Sequence, residues 1–118
     1  KYMKKRQSGS IFFTGATASL RGGSGFSAFA SAKFALRALS QSIARELGPQ
    51  GIHVAHFIID GAIDTAFIKE NFPEAYALKE KDGILSPEKI ADSYWFVHSQ
   101  HRSAWTHELD LRPYMEKF

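Results

Sequence analysis

Cysteine is absent from the 118 residues. That excludes disulfides and thiolate chemistry and favours an intracellular, cytoplasmic setting. No apolar run approaches the roughly 18 residues that a membrane span requires, and no signal-peptide pattern opens the chain. Charge of one sign is also scarce: 15 Lys and Arg against 12 Asp and Glu leave a net +3, and four of the cations lie in the opening "KYMKKR". This basic end reads as a solvated helix end or terminus. No aromatic-interleaved basic patch follows it, so nucleic acid is not expected as a partner. Metal chemistry lacks its spacing as well. His53 and His56 stand three apart on a strand pattern and point to opposite faces. His98, His101 and His107 have no partner spacing typical of zinc. Without a G-x-S-x-G elbow, a hydrolase triad is not expected either.

The chain has the length of one domain and the composition of a soluble globular protein, 44% apolar and 23% charged. "GSIFFTG" at 9 to 15 is an apolar run bounded by glycines and reads as a buried strand. A loop of glycine and small polar residues follows, then a long helical pattern from about 25 to 48, closed by "GPQG". "IHVAHFIID" at 52 to 60 does not alternate, as expected of a parallel strand buried on both faces. Strand, helix and strand with short connections make a right-handed βαβ unit. Beyond it, short helices are expected around Pro73. A capped helix is expected from 86 to 100, with Ser86 as cap and Pro87 at its first position, and "AWTHELDL" reads as a final strand. The fold class is α/β. Two or three strands are few for a parallel sheet, so we expect the C-terminal part of a doubly wound sheet. The first methionine is Met3, which fits a chain that starts inside a longer protein.

The long helix holds one conspicuous charge. With Phe29 at zero on a helical wheel, Lys33 falls at about 40°, Leu36 at about 340°, Ile43 at about 320° and Leu47 near zero. An ammonium thus stands in the apolar face, one turn after a phenylalanine. Burying an unpaired ammonium is very costly, so Lys33 needs either a polar partner or a stem long enough to reach solvent. A second face of the same helix carries small residues: Ala28, Ala32, Ala35, Ala38 and Ser42.

The stretch from Gly9 to Thr65, with "ARELGPQGI" and "DGAIDT" as its most specific parts, resembles the second half of a short-chain dehydrogenase/reductase. The likeness continues more loosely to "THELDLRP". The resemblance implies a Rossmann-type NAD(P)-binding domain whose C-terminal half is residues 1–118, with the phosphate-binding N-terminal half lying upstream. It implies hydride transfer between NAD or NADP and a carbonyl or alcohol, on a small-molecule substrate. Lys33 matches the family lysine that holds the nicotinamide ribose and lowers the pKa of a tyrosine four residues earlier. That tyrosine position is Phe29 here, and the alternative position seven residues before the lysine is Phe26. The family serine position is Ala16; Thr14, Thr17 and Ser19 stand close by, and Thr17 is the candidate to replace it. A positioned phenol contributes on the order of 10²–10⁴-fold as general acid, so its loss raises a second expectation: a family member or fragment that keeps the fold for cofactor binding or dimerisation without catalysis.

The resemblance places Asp60, Gly61, Ile63 and Thr65 at the turn that contacts the nicotinamide, with Asp60 replacing the usual proline. Asp60 either caps the turn or changes polarity beside the nicotinamide; the sequence leaves both open. Gly61 suits a turn that needs unusual backbone angles and a close ligand. "TGATASLRGGSG" imitates a phosphate loop, but its spacing does not fit G-x-G-x-x-G and it matches the family's serine segment. The family also implies a homo-oligomer through the helix at 25 to 48. The isolated chain, without a phosphate loop, is expected to be inactive.

Overall fold

The computed structural model describes residues 1–118. A short helix α1 (Tyr2–Arg6) leads into strand β1 (Gly9–Ala16), a single 3-10 turn at Thr17–Ser19, and helix α2 (Ser27–Leu47). Strand β2 (Ile52–Ile59) follows after a second 3-10 turn. Then come α3 (Ala66–Asn71), α4 (Pro73–Tyr76), α5 (Pro87–His98) and strand β3 (Glu108–Leu111). The three strands form one parallel sheet in the order β1-β2-β3, with Gly9 opposite Ile52 and His56 opposite Glu108. The α/β class and parallel sheet expected from the sequence are both present. No helix is long and apolar enough to cross a membrane.

The central strand explains the non-alternating pattern. All eight residues of β2 are buried. His53, Ala55, Phe57 and Ile59 point to one face, where Ala55, Phe57 and Ile59 form a core with Val97 of α5. Tyr94 of α5 stacks on Phe57 with ring centroids 3.6 Å apart. The alternate residues, His56 among them, face α2. Helices therefore cover both faces of β2, as a parallel sheet requires. Each fully buried Phe or Ile contributes about 1.5–3 kcal/mol of transfer free energy.

Local chemistry sets the helix ends. Ser86 caps α5 by accepting the Lys89 amide, and Pro87 stands at the first helical position. Thr65 caps α3 in the same way, accepting the Ile68 amide at 3.3 Å. The last strand is shorter than the alternation in "AWTHELDL" suggests. Trp105 stacks on His53 and Thr106 bonds to Gln100, so 105–106 is engaged by side chains, and pairing with β2 begins where the His56 amide donates to the His107 carbonyl at 2.7 Å.

Candidate functional site

In a parallel sheet all the strands end on one side, and ligands of open α/β sheets bind there. Ala16, Ile59 and Leu111 end the three strands. Around them lie Lys33, Thr17, Asp60 and Gly61.

Lys33 is half-buried, and its Nζ donates to the Thr14 carbonyl at 3.1 Å. It also lies 5.7 Å from the centroid of the Phe29 ring, a cation–π distance. The ammonium has therefore found partners at the carboxyl end of β1. Two of its three N–H donors remain available to a ligand diol. Phe29 is 48% exposed, although the helical wheel puts it in the middle of the apolar face. The first turns of α2 meet the 17–19 turn and extend past the strand ends, so the ring borders a cavity. Thr14 meets a second group from the opposite face: its hydroxyl pairs with the Tyr94 phenol at 2.7 Å. Burial lifts the Tyr94 phenol above its ordinary pKa, and the bond to Thr14 only partly opposes this.

Asp60 is fully buried. The Thr17 hydroxyl donates to its Oδ1 at 2.6 Å, and an Arg21 N–H donates to the same oxygen at 3.3 Å. Arg112 approaches Oδ2 at 3.8 Å and pairs more closely with Asp110. The carboxylate turns back toward Thr17 and Arg21 and accepts no bond from the backbone of its own turn. Gly61 has φ +146°, a conformation that favours glycine. The close approach at this glycine, however, is made by the chain's own C-terminal segment: a Cβ at Gly61 would lie 2.9 Å from Pro113 Cδ.

Ile63 packs on the core and bridges to Leu85, while Thr65 caps α3. The structure thus brings Lys33, Phe29, Thr17 and Asp60 around one corner and gives Ile63 and Thr65 local structural partners on the segment that leaves it. Thr17, Phe26, Phe29, Arg21, Gly22 and Gly23 line a cavity of about 310 Å³ beside that corner.

A second polar cluster lies deeper on the α2 face. Arg37 holds Glu108 by two hydrogen bonds, at 2.9 and 2.7 Å, and His56 Nδ1 lies 3.0 Å from Glu108 Oε2. Burial pushes the Glu108 carboxyl up, but the bonds from Arg37 and His56 outweigh it and hold the carboxyl below its ordinary value. Sequence reading did not find Arg21, Arg112 or the Arg37–Glu108 pair. Their partners are up to 71 residues away along the chain, and no spacing signals them.

A family profile described as short chain dehydrogenase matches residues 1–75. The chain belongs to the short-chain dehydrogenase family. The zebrafish (Danio rerio) 3-dehydrosphinganine reductase is 32% identical over 92 residues, which is 75% of this chain and 28% of that protein. A short-chain dehydrogenase from Rhodopseudomonas palustris is 50% identical, covers 95% of this chain and 42% of its own, and superposes with a TM-score of 0.70. The closed form of serine dehydrogenase complexed with NADP+ has a TM-score of 0.79 at 16% identity, over 98% of this chain and 48% of that one; at that identity the likeness is one of fold. The chain thus spans 28% of the length of the curated family members it matches.

Proposed function

We propose that the protein carrying this chain is an NAD(P)-dependent oxidoreductase acting on a small carbonyl or alcohol substrate, with residues 1–118 as the C-terminal half of its dinucleotide-binding domain. The observation that carries the reading is the Lys33 ammonium, held half-buried at the carboxyl end of β1 with two donors to spare. Those donors fit a ribose diol. Thr65 keeps its hydroxyl proton after capping α3 and is free to donate to the cofactor, and Ile63 lies between it and the corner. The Asp60–Gly61 turn, closed by Pro113, shapes this end of the cleft from behind. The nicotinamide, when bound, supplies or accepts the hydride. Family relatives named as reductases, and one structure in complex with NADP+, support this reading. Nothing in these residues selects NAD over NADP.

Proton handling must differ from the family pattern, because Phe29 has no hydroxyl. Thr17 lines the cavity beside Phe29, but its proton is directed at the buried Asp60 carboxylate. Toward the cavity it therefore presents lone pairs. That arrangement orients a substrate hydroxyl by accepting its hydrogen bond, and the proton needed for reduction then comes from water.

The missing phenol favours a second reading, a family member that binds cofactor without turnover. The exposed faces of Ala28, Ala32, Ala35, Ala38 and Ser42 on α2, with Phe34 and Leu39 exposed beside them, support a homodimer through that helix in either case; a monomer in concentrated sedimentation runs would remove this element. Titrating the full-length protein with NADH and NADPH, followed by cofactor fluorescence and a carbonyl panel, tests the function. Saturable binding with turnover supports the oxidoreductase, binding without turnover supports the second reading, and no binding defeats both. The 118-residue chain alone, which carries no glycine-rich phosphate loop, is expected to show no turnover.

A further inference from the structure

We propose that Arg21 makes the cavity beside Phe29 selective for apolar substrates that carry a carboxylate. The inference rests on the site just described and names the class of molecule that enters it. Among the residues lining the 310 Å³ cavity, Arg21 is the one ionisable group. Its side chain is 43% exposed, and its single hydrogen bond goes to Asp60 at 3.3 Å. Four guanidinium N–H groups therefore have no protein partner. Asp60, fully buried, lies behind the arginine and not on the cavity wall. A molecule entering the cavity meets the cation and not the anion that anchors it.

The anchoring pairs one buried carboxylate with two arginines. A buried carboxylate is destabilising unless it is paired and hydrogen-bonded. Here Thr17 and Arg21 converge on one oxygen of Asp60, while the other has no hydrogen bond and faces Arg112 at 3.8 Å. One consequence of this cluster is a guanidinium held in a defined place at the cavity wall. Arginine suits the role because its planar fork takes both oxygens of a carboxylate at once. Apart from the Thr17 hydroxyl, the remaining walls are Ala18, the rings of Phe26 and Phe29 and the backbone of Gly22 and Gly23, which offer apolar contact to the body of the ligand. Charge at one point and aromatic surface around it describe an aryl or alkyl carboxylate.

The test uses the full-length protein and two probes of equal shape, 4-carboxybenzaldehyde and 4-formylbenzamide. Binding of each is measured by calorimetry without cofactor, and reduction of each with cofactor. The anionic probe is expected to bind at least about tenfold more tightly than the neutral one, the scale of one charge-assisted bidentate contact. Arg21→Gln is expected to reduce that preference to less than about threefold. Arg21→Lys keeps the charge but not the fork and is expected to fall between. Equal binding of the two probes, binding of neither, or a preference that survives Arg21→Gln would overturn the assignment. Carboxylate preference in binding without any reduction would leave it standing while supporting the second, non-catalytic reading. Reduction of both probes at equal efficiency would do the reverse.

Discussion

The Lys33 ammonium donates to the carbonyl of Thr14 at 3.1 Å, across the junction of α2 and β1. One hydrogen bond at a half-exposed position contributes about 0.5–1.5 kcal/mol. Lys33→Met is therefore expected to shift the melting temperature by only a few degrees. In the full-length protein the same variant is expected to weaken cofactor binding by about tenfold or more, since both spare donors are lost. Thermal denaturation and cofactor titration on one preparation separate the two effects. A large loss of stability with unchanged cofactor affinity would assign Lys33 to structure alone.

Phe29 stands one turn before that lysine and is half exposed at the cavity. Phe29→Tyr adds a hydroxyl without burying a polar group, so stability is expected to change by less than about 0.5 kcal/mol. Carbonyl reduction by the full-length protein is expected to rise by about 10²-fold, the lower end of general acid catalysis, mainly in kcat. Steady-state kinetics of the two proteins on one substrate decide it; no gain in kcat would show that the cavity binds substrates away from this position.

Gly15 is held at its minimum size by two fixed neighbours. An added Cβ collides with His56 Nε2 and comes within 2.6 Å of Ser19 Oγ. Neither can yield easily: Glu108 holds the imidazole, and Ser19 accepts the Ala16 amide at 3.1 Å. Gly15→Ala is expected to destabilise the fold by about 1–3 kcal/mol. Urea denaturation measures this directly, and a loss below 0.5 kcal/mol would mean that the histidine is free to move.

The Glu108 carboxyl is held below its ordinary value because the bonds from Arg37 and His56 exceed the burial penalty. A carboxyl with a lowered folded pKa stabilises the fold above its unfolded pKa, and this contribution disappears as pH falls through the folded value. Stability is therefore expected to fall from about pH 4.3 downward, the ordinary range of a glutamate. Glu108→Gln is expected to flatten that acid limb and to cost about 1–3 kcal/mol at neutral pH through the weakened Arg37 contact. Denaturation curves from pH 3 to 7 on both proteins provide the comparison, and identical acid limbs would remove Glu108 as the titrating group.

The elements of this fold were legible where a local cause sufficed. Eight consecutive apolar or aromatic-rich positions made β2 readable as a strand covered on both sides, and all eight are buried. Ser86 and Pro87 announced the start of α5 because capping needs only neighbouring residues. The wheel placed Lys33 on the packed side of α2, where its ammonium meets Thr14. Helical and strand periodicities act over a few residues, so the order of amino acids is enough to reveal them.

The corner itself depended on contacts that no local pattern encodes. Asp60 receives bonds from residues 43 and 39 positions earlier in the chain, and the space at Gly61 is filled by Pro113. The direction of the Thr17 proton, the placement of the Arg21 guanidinium and the exposure of Phe29 all follow from how α2, the 17–19 turn and the C-terminal segment meet at the strand ends. Residue order decides which side chains exist and which secondary structure carries them. Long-range packing decides which of them share a partner, because a buried charge takes whatever donors the folded chain brings within a few ångströms.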